Sequence, residues 1–520
     1  MSNDDNKPLT RLTDKLQDLK DEFGNRIENS DFETWLKGVK EEVGDGIEMM
    51  ARRARGVFNP NLVTMQLKDI QSIVLRERLA PYFGTVVALK INNADVGKQM
   101  LAQVLPDVTG SEDWHKDMQA TLSIVMTYEG LQALGVPQSS LDSFPESFKA
   151  GMAARAEQLR DFDVNAPENW MAPFGDKGDI HVGAAIIADT KDKWQAKLDE
   201  LRDNLTDHID VDNPANGDVE ILIEQDFGSN DNVKNVFGYH DGISNPEIQG
   251  SGIQTPSNHD GDPIAAGEFV LGYEGEAGLV APMPQPEVLG KNGSFMVLRA
   301  YHSHVATFNK YRKDNTDSEE EAELLGAKMW GRWRSGAPLV LSPDHDDKAL
   351  GDDPSRNNDF GYKDDPYGKK CPFGAHIRRM NPRDSEDFIL SDVRIHRIVR
   401  RSVGFGEVVP PDVIEDDGKD RGLFFIGINA HAMETVEFLQ SQWINDGNFM
   451  SLGEEKDPMV GLHFGDKGGS DKDSDADNFT VPADPIRKRY HGIETFNTLH
   501  GGEYFFIPSL SALKWISELS

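Results

Sequence analysis

From about residue 80 onward, short apolar runs alternate with single stretches of helical period, and this rhythm limits the fold more than any other feature of the chain. GTVVALKI (84–91) precedes NADVGKQMLAQVL, TLSIVMT (121–127) precedes YEGLQALG, and VGAAIIAD (182–189) precedes KWQAKLDELRD. The pattern returns with SFMVLRAY (294–301) before HVATFNKYRK and LFFIGINA (423–430) before METVEFLQSQW. Strands that alternate with single helices predict a sheet with helices laid against it. Ser143 and Pro145 predict a helix start for ESFKAGMAARAEQL. The grouping predicts two similar halves, roughly 75–235 and 285–515, without a residue-level repeat.

Set out as domains, this reading gives a charged helical extension over 1–65, an N-terminal half over 66–265 and a C-terminal half over 266–520. In the extension, Leu9, Leu12, Leu16 and Leu19 lie at helical spacing on one face. That face would pack on the body or on a second subunit, so a homo-oligomer is left open. Residues 250–263, 343–370 and 465–478 predict loops. In the last, Asp471, Asp473 and Asp475 resemble the start of a calcium loop, but Ala476 stands at the glycine position and Pro482 at the glutamate position. A solvated acidic loop is the expectation there.

Composition narrows the function. Lys and Arg number 54 against 89 Asp and Glu, a net charge of -35, which disfavours nucleic acid and anionic membranes as partners. No apolar run reaches the roughly 20 residues that cross a bilayer. The first residues lack the basic start and apolar core of a signal peptide, so a cytoplasmic location is expected. Cys371 is the only cysteine, which excludes internal disulfides and any Cys-rich metal site within one chain.

Three segments set polar groups among structure-forming residues. VFGYHDGISNP (236–246) places Asp241 between Gly238 and Gly242, where glycine lets backbone approach a flat ligand closely. An Asp-Gly turn is the plainer reading of the same residues. CPFGAHIRRMNPR (371–383) gathers His376, Arg378, Arg379 and Arg383, cations suited to a dianionic ligand. A lone histidine is more often structural. RIHRIVRRSVGFG (394–406) carries Arg394, Arg397, Arg400 and Arg401 before a turn, a set that more often pairs with surface carboxylates. His302 and His304 have no third ligand indicated nearby and read as structural rather than zinc-binding. Cys371 reads as a buried packing residue.

Taken together, the three segments resemble the dye-decolourising peroxidase family. GYHDG (238–242) matches its GxxDG signature, AHIRRMNPR (375–383) its proximal-histidine segment and IVRRSVGFG (398–406) its distal-arginine segment. The resemblance runs from DIQSIVLRE (69–77) to GGEYFFIPSL (501–510). The extension and the acidic loops fall outside it and look like those of longer bacterial members.

The resemblance implies an α+β fold of two ferredoxin-like halves, each a mainly antiparallel sheet with packed helices, and haem b in the second half. With no CxxCH motif, the haem would be held non-covalently. It implies a peroxidase that reduces hydrogen peroxide through a ferryl intermediate and oxidises phenolic or dye-like donors. His376 would bind the iron, with Glu437, or failing that Glu434, accepting from its other nitrogen. Asp241 would move the peroxide proton. Arg400 would stabilise developing negative charge, with Arg397 and Arg401 as rivals in register. Ser402 stands where some members place an asparagine that positions peroxide, Gly242 flanks the cofactor, and Arg378 and Arg383 would meet its propionates. The family pattern treats the position of His240 as variable. Unperturbed carboxylates titrate near pH 4 and imidazoles near 6.5, so an acidic optimum is expected. Trp330 and Trp333 read as core residues, with electron relay to bulky dyes as the alternative. A haem-handling protein with incidental peroxidase activity is the competing function.

Overall fold

The computed structural model describes residues 65–77, 82–112, 120–175, 180–206, 208–209, 217–229, 234–252, 263–385, 392–464 and 477–520. The N-terminal helical extension up to residue 64 and the Asp471, Asp473 and Asp475 loop lie outside the described residues. Eleven strands are present among the described residues: β1 (Tyr82–Ile91), β2 (Thr121–Met126), β3 (Val182–Ala188), β4 (Val219–Ser229), β5 (Ser294–Ser303), β6 (Val399–Arg400), β7 (Val403–Phe405), β8 (Gly422–Asn429), β9 (Phe479–Val481), β10 (Lys488–Tyr490) and β11 (Asn497–Ile507).

Nine strands form one sheet in the order β4-β1-β3-β2-β11-β5-β8-β6, with β7 also on β8, while β9 and β10 pair separately. The recorded pairings are antiparallel. Each half repeats one order. Counting β6 and β7 as one position, both β4-β1-β3-β2 and β11-β5-β8-β6 read fourth-first-third-second, the ferredoxin-like arrangement. The halves join through β2 and β11, where Phe506 faces Met126.

The expected strand-to-helix rhythm is there. The helix α1 (Ala94–Val104) follows β1, and the Asn93 side chain caps it by accepting from the Asp95 amide at 3.1 Å. A six-residue helix follows β2, capped by Thr127. The helices α2 (Lys191–Thr206), α3 (Val305–Asp314) and α4 (Glu319–Trp330) follow β3 and β5. Ser318 caps α4, and Gly331 ends it in the left-handed region with φ 92°. Three more helices complete the set used below: α5 (His376–Met380), α6 (Ala432–Phe438) and α7 (Leu510–Ser517). The helix expected from Ser143 onward is broken instead. It runs only from Glu146 to Ala150, where Gly151 takes φ 73°, and resumes as short turns.

Both faces of the sheet are buried. On β5, Phe295, Val297 and Tyr301 pack with the helix layer, while Met296, Leu298 and Ala300 join a second apolar cluster. From β8, Phe424, Ile426 and Ile428 enter that same second cluster. This explains why the strands read as continuous apolar runs rather than clean alternations. The helix-facing side of the second half, between β5, β8 and α6, is where the site opens.

Candidate active site

One cavity of about 1670 Å³, counting its open mouth, lies on that side. Tyr301 and Ser303 of β5, Leu423 and Phe425 of β8 and Val436 of α6 help to wall it. Residues 235–244 and 376–383 supply much of the remaining lining, together with Arg397, Arg400 and Ser402. Two of the three motif segments therefore meet the third in a single space.

His376 is the first residue of the short helix α5, which places its ring at the helix mouth rather than along the packed flank. Its Nδ1 lies 2.9 Å from Asp457 Oδ2, and the Trp330 ring meets it edge-on with centroids 5.6 Å apart. Asp457 is fully buried, and its other oxygen accepts from the amides of Met459 at 2.8 Å and Val460 at 3.0 Å. Burial alone would raise the Asp457 pKa, but the charge and hydrogen bond of His376, then Arg379 and the Met459 amide, hold it below the usual carboxylate range. With an anionic acceptor on Nδ1, the imidazole keeps Nε2 for an electrophile.

Neither glutamate expected beside His376 is there. Glu437 is held by Arg155 at 2.6 Å and by the Tyr504 hydroxyl at 3.0 Å, and Glu434 accepts from Ser147 at 2.5 Å. Both meet residues of the N-terminal half, Arg155 and Ser147, whereas Val436 of the same helix lines the cavity. Asp457 is 81 residues from His376 in sequence and arrives on a separate loop. Its local signal is only an Asp-Pro pair whose side chain turns back onto the following amides.

Asp241 and Arg400 also line the cavity, with Arg400 Nη1 4.0 Å from Asp241 Oδ1. Gly238 and Gly242 both sit at φ 83°, so the turn that presents Asp241 needs residues without a Cβ. The Asp241 carboxylate accepts from the Gly242 amide at 2.6 Å. Arg400 is anchored by donating to the Ile243 carbonyl, and Asn245 receives its amide at 2.9 Å. The register follows from strand alternation: Arg400 and Ser402 face the cavity, whereas Arg401 turns the other way and donates to Ile73 O at 2.9 Å. Arg397 lies beside Arg400 in the lining and donates to Ser244 O at 3.3 Å. Ser402 Oγ accepts from the Ile426 amide at 3.1 Å. His240 lines the wall with Nδ1 3.1 Å from Ser335 O.

The two arginines expected at an anionic ligand separate. Arg383 reaches the cavity, supported by the carbonyls of Phe360 at 2.9 Å and Asn358 at 3.2 Å. Arg378 does not line it. Its guanidinium is buried against Asp365 at 2.9 Å and Cys371 O at 2.6 Å, because two steps along a helix from His376 points a side chain to the far side. Arg332, from the KMWGRWRSG segment, takes the place beside Arg383. Its recorded partners are all neutral: Gly336 O at 2.9 Å, Asn358 Oδ1 at 3.2 Å and the Asn357 carbonyl. Burial first, and then Arg383, pull its pKa down to about 9, the mark of a cation held without a carboxylate. Asn381 and Trp330 also line the cavity, and the buried Asn381 amide and Trp330 Nε1 have no hydrogen-bond partner among the described residues. Ser244 and Arg383 hold positive φ of 73° and 53°, strain of a kind that gathers at working sites.

Other candidates resolve plainly. Trp333 is buried and donates to Ser342 O at 2.7 Å. Cys371 is buried and free, and burial pushes its thiol up to about 11. His302 pairs with Asp420 at 2.9 Å and His304 with Thr498 at 2.8 Å. His500 stacks on His302, yet among the described residues no group of three or more His, Cys, Asp or Glu is set to hold a metal ion. No described helix is long and apolar enough to cross a membrane.

The DyP dimeric alpha+beta barrel domain matches residues 69–220. A dye-decolorizing peroxidase of Mycena epipterygia is 32% identical, over 87% of this chain and 87% of its own. Peroxidase 2 of Mycetinis scorodonius is 32% identical over 76% and 75%. A dye-decolorizing peroxidase solved in complex with 2,6-dimethoxyphenol superposes with a TM-score of 0.72 at 26% identity, covering 87% of this chain and all of that one. The relatives matched over three quarters or more of the chain are fungal, which corrects the expected likeness to longer bacterial members. With such identity across most of both sequences and one α+β fold, the chain belongs to the dye-decolourising peroxidases, a family of haem-dependent oxidoreductases.

Proposed function

We propose that this chain holds haem b non-covalently through His376, and uses Asp241 and Arg400 to cleave hydrogen peroxide while phenolic or dye-like donors are oxidised, best at acidic pH. The observation that carries this reading is that His376, backed by the buried Asp457 at 2.9 Å, shares one cavity with the Asp241–Arg400 pair at 4.0 Å. A protein that only stored or handed on haem would need the first pair and not the second.

The cavity suits haem by the chemistry of its lining. Apolar side chains from β8, α5 and α6 offer walls for a flat macrocycle. Arg332 and Arg383 are the pair that would hold its carboxylates, with the unpartnered Asn381 amide close in sequence. Haem, when bound, supplies the redox chemistry.

The residues do the rest. Asp241, as a carboxylate, takes the proton from the attacking peroxide and returns it to the departing oxygen. Arg400 holds a fixed positive charge where negative charge develops, and being tethered to Ile243 it need not reorganise. Ser402 keeps its hydroxyl on the Ile426 amide, so it shapes the wall beside Arg400. Gly242, at φ 83° in the lining, supplies the turn that presents Asp241. The phenol complex of a solved relative supports the donor class.

The test has two parts. Expression with haem supply should give a Soret band in wild type that is lost or altered in His376→Ala. Stopped-flow reaction with hydrogen peroxide should slow by at least ~10²-fold in Asp241→Ala and Arg400→Leu, in line with losses of acid–base and charge-stabilising groups. Unchanged rates in both variants would remove the mechanism, and a pH profile flat from weakly acidic to alkaline would remove Asp241 as the base.

A further inference from the structure

Asp457 is gripped from behind as well as in front. Its main-chain carbonyl lies 2.8 Å from His463 Nε2, and His463 Nδ1 lies 3.1 Å from Asp477 Oδ1. The His463 side chain has no exposed surface. A carbonyl and a carboxylate are both acceptors, so the two contacts are hydrogen bonds only if both ring nitrogens carry protons. A singly protonated ring would set a lone pair against an oxygen in a buried place, at the cost of an unmade bond.

The surroundings keep the ring in this pose. Thr495 Oγ1 accepts from the His463 amide at 3.0 Å and donates to its carbonyl at 2.5 Å. The charge in contact with the ring is the Asp477 carboxylate; nearby, Lys456 donates through Nζ to Leu462 O at 2.9 Å, and burial lowers its pKa against the opposing pull of Asp477. The loop from Asp457 to Phe464 is thus tied at its start by His463 and at its end by Asp477, which also receives the Phe464 amide at 3.3 Å.

We propose that His463 is a positioning residue for His376: a twofold donor locked onto Asp477, it pins the Asp457 main chain and so sets the Asp457 carboxylate against the His376 ring. This rests on the reading of His376 as the iron ligand, and the experiment separates the two.

The protonation claim is tested on the full-length holoenzyme in its diamagnetic ferrous carbonyl form, with ¹⁵N-labelled histidine and His463→Gln to assign the signals. Both His463 ring nitrogens should carry protons; one proton only would overturn the proposal. The positioning claim is read from the iron–histidine stretch of the ferrous enzyme by resonance Raman. His463→Phe and the near-isosteric Asp477→Asn should both move the band to lower frequency, toward that of Asp457→Asn, and His463→Gln should recover part of the shift. A band unmoved in Asp477→Asn and His463→Phe would overturn it, and if His463→Phe takes up no haem, Asp477→Asn decides alone. Should His376→Ala keep the native band, the ligand reading fails, while the proton count on His463 stands on its own.

Discussion

The chemistry of the cavity turns on which nitrogen of His376 is left free. Asp457, buried and already holding two amides, can take only the Nδ1 proton, and its charge makes the ring a stronger donor through Nε2. Asp457→Asn keeps the shape but offers a neutral partner. It should retain haem while peroxide turnover falls about 10–100-fold, the usual cost of losing such a support; steady-state kinetics on the haem-replete variant checks this, and wild-type turnover would show the charge to be idle. The meeting of His376 and Asp241 in one cavity was legible in the sequence because each stands in a local motif with its neighbours. Asp457 was not, since nothing within a few residues of it marks a partner 81 positions away. Arg332 was hidden for a similar reason: its segment is read by its two tryptophans, and only the fold shows that the arginine between them faces the cavity.

Elements carry these residues, and α4 does so through a charge network. Glu323 on α4 accepts from Arg334 at 2.6 Å and from Arg312 of α3 at 2.7 Å. Arg334 in turn donates to the Phe237 carbonyl and lies 4.7 Å over the Tyr239 ring, so it braces the loop that presents Asp241. Burial would raise the Glu323 pKa, but the hydrogen bonds and charges of the two arginines outweigh it and hold the group below the usual range. A carboxylate depressed in the folded state adds stability above its unfolded pKa and loses it as pH falls through the folded value. Acid below about pH 4 should therefore loosen this brace. Glu323→Gln should lower stability by about 1–3 kcal/mol near neutral pH. It should also flatten the acid limb of urea-unfolding stability between pH 5 and pH 3, which an idle Glu323 would leave unchanged. At this scale the sequence was informative about strands and the helices after them, because period and composition are local. It was silent on the fourth-first-third-second order, which depends on contacts between distant strands, and on the break at Gly151, where one left-handed residue ends a pattern that otherwise reads as a continuous helix.

For the whole molecule, the question is what binds two repeated halves into one enzyme. The sheet is continuous through β2 and β11, but the sharpest link is electrostatic: Arg299 of β5 grips Asp161 of the first half at 2.6 and 2.9 Å, with both side chains almost wholly buried. Arg299 Nε also donates to the Tyr301 hydroxyl at 2.7 Å, and Tyr301 forms part of the cavity wall. The link between the halves therefore runs directly to the site. A buried pair contributes little net stability over an apolar replacement, yet removing one partner strands a charge and costs about 3–5 kcal/mol. Asp161→Ala should thus destabilise the protein by about that amount in urea unfolding. Asp161→Leu combined with Arg299→Met should recover much of the loss, because no charge is then left without its counterpart. The double variant should still lose the hold on Tyr301, so its haem affinity should fall although its fold survives. A single variant as stable as wild type, or a double variant no better than the single, would show that the Asp161–Arg299 pair does not carry the union of the halves.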